Sequence, residues 1–264
     1  MKEIKLPGFT STIKADDALA ISVFGEHGCG KTRFAITAPD PIGFVPLDRK
    51  ARKTVELTAK ALHKTVLMPT ADFIRVENPL KLAIMEEKAA REYYRRHVDA
   101  VKEAAFKLYG HPDIRTVVID TGTQLWEDIL FANYGRNQRV MPRDRGPANQ
   151  EMMDLLNVLS GKNLIITHKA AEIWRNDKPT GKFRASGFPH IGYSVNAEIL
   201  LECDEDNEPD EDGTYAGYFK LFVHHCQANP MIQNKANPLL EDDMITFPGL
   251  ANYIYPDSDL EDWT

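Results

Sequence analysis

A chain of 264 residues, 43% of them apolar, carries a formal net charge of −7 at pH 7. That length supports a sizeable core in one large domain, and that charge excludes a binder of polyanions that is basic over its whole surface. Three scattered cysteines, Cys29, Cys203 and Cys226, argue against a disulfide framework. No apolar run of bilayer length and no signal-peptide centre is present, so a cytoplasmic protein without membrane contact is expected.

After a Pro- and Gly-punctuated lead (1–18), expected to carry no domain of its own, residues 19–38 combine a short apolar run, a glycine loop and the start of a helix. Gly25-x-x-x-x-Gly30-Lys31-Thr32 has the spacing of a phosphate loop, in which glycines let backbone N–H groups turn inward onto phosphate oxygens. Gly25, Glu26, His27, Gly28, Cys29, Gly30, Lys31, Thr32 and Arg33 are therefore the expected nucleotide contacts. Lys31 would neutralise the β and γ phosphates, Thr32 would offer its hydroxyl to Mg²⁺, and Cys29 would be a small space-filler. Residues 42–47 read as a second buried strand ending at Asp48, where α/β proteins place chemistry. A helix over 50–64 and a short strand over 65–68 follow.

Residues 79–109 are highly charged with apolar residues at helical intervals, the pattern of a solvated helical excursion packed on the sheet. Residues 116–120 form a β-branched run closing on Asp120, the Walker B pattern; set next to the phosphate-loop strand, it would deliver Asp120 to Mg²⁺ opposite Thr32. A helix (125–132) leads into a loop at 134–146 with four arginines, Arg136, Arg139, Arg143 and Arg145. A helix over 149–160 precedes a buried strand, 163–168, ending in His168. A second basic loop, 169–188, sets Lys169, Arg175, Lys178, Lys182 and Arg184 around Trp174 and Phe183. Residues 191–203 and 215–226 read as a strand pair joined by an acidic loop, with His224 and His225 on alternating faces and no second ligand pair to make them a zinc site. Residues 237–264 read as a mostly irregular acidic tail, whose tip, with Leu260 and Trp263, reads as a solvated end, as a segment that docks in a basic groove on a partner, or, the favoured functional reading, as a flap folded back over the basic loops.

In this order the elements resemble the RecA-like recombinase core, and most of all the short phage-type ATPases of single-strand annealing and recombination, over residues 15–230. The resemblance rests on the phosphate loop, the Walker B run, His168 at the place of a γ-phosphate sensor, and two basic loops at the place of the DNA-contacting loops. It implies an α/β fold with a mostly parallel central sheet flanked by helices and a C-terminal antiparallel hairpin. Residues 1–236 would form one ATPase domain, with 79–110 as the excursion and 237–264 as the tail. It also implies a DNA-stimulated ATPase using ATP and Mg²⁺, with Lys31, Asp120, His168 and Asp48 as the catalytic set and Thr32 and Asp120 at the metal. Implied partners are single-stranded DNA, further copies of the chain in a ring or filament, and a single-strand-binding protein. A gap-free reading puts Lys50 where the family has its catalytic glutamate, which leaves Asp48 as the nearest carboxylate. The segment 224–226 replaces the lysines that reach a neighbour's nucleotide. Two other readings stay open: a P-loop small-molecule or nucleotide kinase using 136–145 as a lid, and a nucleotide-gated binding module without turnover.

Overall fold

The structure is a computed structural model, and it describes residues 18–48, 51–74, 79–136, 140–203, 219–258 and 260–264. Lys50 and Arg139 lie outside them.

β1 (Ala20–Gly25) is buried along its whole length, and the chain turns from it through the glycine loop into α1 (Lys31–Ile36). β2 (Ile42–Pro46), α2 (Ala51–Ala61) and the two-residue β3 (Val66–Leu67) complete the first crossovers. The charged stretch then forms α3 (Pro79–Ile84) and the 24-residue α4 (Glu87–Gly110). On α4, His97, Val98, Val101, Ala104 and Ala105 are buried at helical spacing, so the excursion is one of the layers covering the sheet. β4 (Thr116–Asp120), α5 (Gly122–Tyr134) and α6 (Gly146–Leu159) lead to β5 (Asn163–Arg175) and β6 (Lys178–Ala185). The chain ends through α7 (Ile191–Ser194), β7 (Ala197–Cys203), β8 (Phe219–Cys226), β9 (Leu240–Glu241) and α8 (Phe247–Ile254). Within the stretch read as a strand over 191–203, the first residues therefore make a helical turn instead.

The sheet order is β3-β2-β4-β5-β1-β7-β8-β9, parallel as far as β7 and antiparallel from there on, while β6 pairs with the outer half of β5. The fold class is thus α/β with a mostly parallel sheet, flanking helices and a C-terminal antiparallel hairpin. Near-continuous apolar runs in β1, β2 and β4 follow from burial on both faces. One face packs Ile21, Val23, Phe44 and Ile199 under α1, α2 and α8; the other packs Ile119, Leu164 and Ile166 under α4, α5 and α6.

Three expectations are corrected. β4 is not next to the phosphate-loop strand, because β5 runs between them. Asp120 still reaches the loop, since Asp120 and Val23 are both level with Thr167 in the registers on either side of β5. The second basic loop is not a loop but a β-hairpin arm, in which β5 outruns the sheet and returns as β6. Asn176 and Asp177, at φ 50 and 57, make the two-residue turn that suits strand twist.

The acidic tail, finally, is folded. Trp263 is buried, stacks on Tyr255 at 5.8 Å and donates its indole N–H to Ser258 Oγ at 2.8 Å, while Phe247 N donates to Thr37 Oγ1 at 2.7 Å. Arg115 donates to the Thr264 carbonyl at 2.7 Å. Arg115 directly precedes β4, and Asp120 is at that strand's other end, so the tip lies at the edge of the sheet away from the phosphate loop and does not cover the basic segments. No helix among the described residues is long and apolar enough to cross a membrane.

Candidate functional site

Gly28 and Gly30 adopt φ 87 and 83, the left-handed region that glycine enters without strain. At Gly25 a β-carbon would come within 2.3 Å of the Leu201 carbonyl and 2.5 Å of Cys29 Sγ, so only glycine lets the loop leave β1 here. Lys31 Nζ donates to the carbonyl of Gly25 at 2.8 Å and to that of Glu26, so the ammonium is held by the loop it serves. Glu26, His27, Gly28 and Arg33 are exposed around it. Cys29 is buried with its thiol on the Glu26 carbonyl at 3.0 Å, and burial pushes its pKa up, partly offset by Lys31, so it stays a packed thiol.

Thr32 Oγ1 faces Asp120 Oδ2 at 3.4 Å. The other carboxylate oxygen accepts the hydroxyl of Thr167 on β5. Asp120 is 6% exposed, and burial raises its pKa; Thr167, Lys31 and Thr32 oppose that rise, and the charge of Asp48 adds to it. Asp48 is exposed, just past the end of β2, where Leu47 N donates to the Asp120 carbonyl at 2.6 Å. A glycine loop with its lysine, and a hydroxyl and carboxylate facing each other beside it, fit a polyphosphate and a hard divalent cation with oxygen ligands. Thr167 is a member the sequence reading missed. Its signal was present, because one residue before His168 the alternation of a strand turns the side chain to the face carrying Asp120.

His168 is fully buried, and its ring lies on the opposite face of β5 from Thr167, beside Gly122. Its Nδ1 donates to the Ser186 carbonyl at 3.1 Å, at the end of the arm, while Nε2 has no hydrogen-bond partner among the described residues. Burial lowers its pKa to about 4, which keeps the ring neutral. The expected sensor thus touches the arm, but it is Thr167 that bonds Asp120.

The basic segments separate into different roles. Arg136 donates to the carbonyls of Leu82 and Met85 at 2.5 and 2.6 Å and sits beside Glu87, so it clamps the break between α3 and α4 and is committed to structure. Arg143 is exposed beside Asp144, and Arg145 donates to the Val140 carbonyl at 3.1 Å. Lys169, Trp174, Arg175, Lys178, Lys182 and Arg184 are exposed and Phe183 is half-buried. Cross-strand partners share a face, and the arm's pairs are Ala171 with Arg184, Glu172 with Phe183, Trp174 with Pro179 and Arg175 with Lys178. One face therefore carries Arg175, Lys178 and Arg184 and the other carries Trp174 and Phe183, while Lys182 lies where the register shifts between Glu172 and Trp174. Charges and aromatics that interleave in sequence are sorted by the pleat.

The cationic face runs into a cleft of about 830 Å³ that brings together Arg145, Arg184, His190, His224 and His225, with Glu198 at its side. The expected alternation of His224 and His225 does not hold. A register shift between Glu198 and Ile199 leaves His224 without a cross-strand partner, so both rings line the cleft, and His224 Nδ1 is 3.9 Å from Glu198. No group of three or more His, Cys, Asp or Glu side chains that could hold a metal ion occurs among the described residues.

No family model and no curated protein matches the chain. Among solved structures, a prototypical ATPase from the type III secretion system of pathogenic bacteria is similar over 70% of this chain and 51% of that one, with 14% identity and a TM-score of 0.41. The chain spans about half the length of that protein.

Proposed function

We propose that the chain is an ATP-dependent single-stranded-DNA-binding protein, a RecA-like recombination or annealing ATPase of phage type that assembles on the strand as a homo-oligomer. The observation that carries this reading is the convergence of Arg145 and Arg184, from basic segments far apart in sequence, on one cleft continuous with a cationic β-arm. Single-strand binders combine a positive groove for the backbone with aromatic faces for bases. Arg145, Arg175, Lys178, Lys182 and Arg184 would track phosphates. Trp174, 61% exposed near the turn, would take a base reaching round the tip of the arm.

At the other site the glycine loop and Lys31 would hold ATP, while Thr32 and Asp120 would hold Mg²⁺. The cation, when bound, neutralises charge on the transferring phosphoryl group. Thr167 would orient Asp120 for this, and Asp48 would be the carboxylate that polarises water. The experiment is steady-state phosphate release with and without poly(dT). Release that rises with DNA supports the reading. DNA binding without release would favour the gated module, and ATP consumption unaffected by DNA, with no DNA binding, would overturn it.

A further inference from the structure

Thr123 lies on the first turn of α5, three residues past Asp120, and is 1% exposed. Its hydroxyl donates to the Ser186 carbonyl at 2.7 Å and accepts the Lys169 backbone N–H at 3.0 Å. Those residues are where the chain enters and leaves the arm, and they also bond each other, Ser186 N to the Lys169 carbonyl at 2.8 Å. One side chain thus fastens both roots of the arm to the helix that begins at the Walker B carboxylate.

There is little slack along this path. At Gly122 a β-carbon would meet Ile166 Cγ2 at 2.4 Å, and at Gly187, φ 122, one would meet Thr123 Cα at 3.1 Å. Thr121 caps the same turn by accepting the Gln124 N–H at 3.1 Å. A shift at Asp120 would therefore be passed to Thr123 by packed backbone. Coupling between two sites requires a shared element whose state both sites bias, and the hydroxyl of Thr123, made or broken at the roots of the arm, meets that description.

We infer that Thr123 is the positioning residue through which occupancy of the phosphate site sets the order of the β-arm. The inference rests on the nucleotide half of the proposed function and not on the DNA half. The test is hydrogen exchange of the amides of residues 169–186 with and without Mg²⁺ and a non-hydrolysable ATP analogue, in the absence of DNA. In the parent the analogue should slow exchange in the arm by about tenfold, the middle of the usual range of coupling. Thr123→Val should bind the analogue within about twofold of the parent yet lose the difference in the arm, and Thr123→Ser should restore it. Should the valine variant not fold by near-ultraviolet dichroism, Thr123→Ala removes the same hydroxyl without added bulk and is read in the same way. An arm whose exchange ignores the analogue in the parent, or a Val or Ala variant that keeps the parental difference, would overturn the inference. A parent that binds no analogue would instead overturn the nucleotide reading and, with it, this inference.

Discussion

The two halves of β5 show how one strand serves two purposes. From Asn163 to His168 every residue is buried, Leu164 and Ile166 pack under the helices, and the strand is held by β1 and β4 on either side. From Ala170 onward the same strand leaves the sheet, is paired by β6, and carries exposed cations on one face. The inner half derives its order from packing, whereas the outer half beyond its roots has a partner strand and a two-residue turn. Two-stranded ribbons are marginal by themselves, so the arm is where a ligand can change order at low cost. The polar side chains that close the inner half, Thr167 and His168, sit at the boundary.

The largest break between the two halves should come from the loop beside the inner half. Lys31→Ala is expected to abolish ATP binding measured with a fluorescent analogue. Asp120→Asn should keep binding but lower Mg²⁺-dependent phosphate release by about 10²–10³-fold, the usual loss for one electrostatic stabiliser. Neither change should alter the arm's affinity for DNA without nucleotide, and a loss there would mean that the halves are not separable.

Stability gives a second contrast. Ile166→Ala should cost about 2–5 kcal/mol in urea unfolding through the lost methylenes and the cavity left. Trp174→Ala on the exposed half should stay within about 0.5 kcal/mol of the parent while weakening DNA binding by about 1–3 kcal/mol. Equal destabilisation by both would contradict the division.

The boundary has its own pH signature. His168 is held neutral by burial with a pKa near 4 instead of its ordinary 6.5. In that window the unfolded chain binds a proton that the folded chain refuses, so stability is lost as pH falls from about 6.5 towards 4 and is level above it. The shift is worth about 3 kcal/mol in all. Urea midpoints between pH 4 and 8 should show this slope, and His168→Gln should flatten it.

The smallest effect concerns charge alone. Lys182→Ala with Arg184→Ala should weaken binding to all sequences alike and reduce the slope of log affinity against log salt by about 1.4, at about 0.7 for each single-strand phosphate that the protein ceases to neutralise. An unchanged slope would place the DNA elsewhere than on the cationic face.

The inner half could be read directly from residues, because a glycine loop after an apolar run and a β-branched run closing on Asp120 are local patterns with local causes. The order of the strands could not be read, since β5 enters between β1 and β4 through packing over residues far apart in the chain. The outer half was visible as charges and aromatics, but with the wrong geometry. The run of charges around two aromatics suggested a loop, whereas Asn176-Asp177 supplied a turn and the pleat sorted the side chains. Arg136 looked like a ligand contact because no local pattern reveals that the carbonyls of Leu82 and Met85 await it. The tail was read as irregular because its acids are clustered and conspicuous, whereas apolar anchors such as Phe247, Leu250, Ile254 and Trp263 decide its packing.

Of the three tryptophans, Trp126 and Trp263 are 3% and 4% exposed and Trp174 is 61% exposed, so intrinsic fluorescence reports on the arm. Titration with poly(dT) in the presence of Mg²⁺ and an ATP analogue should quench the emission as a base stacks on Trp174. Trp174→Phe, which keeps a ring but removes the reporter, should still bind DNA by anisotropy while losing most of the quench. DNA that binds without quenching the parent, or a quench that survives in Trp174→Phe, would contradict the assignment of the arm as the single-strand site.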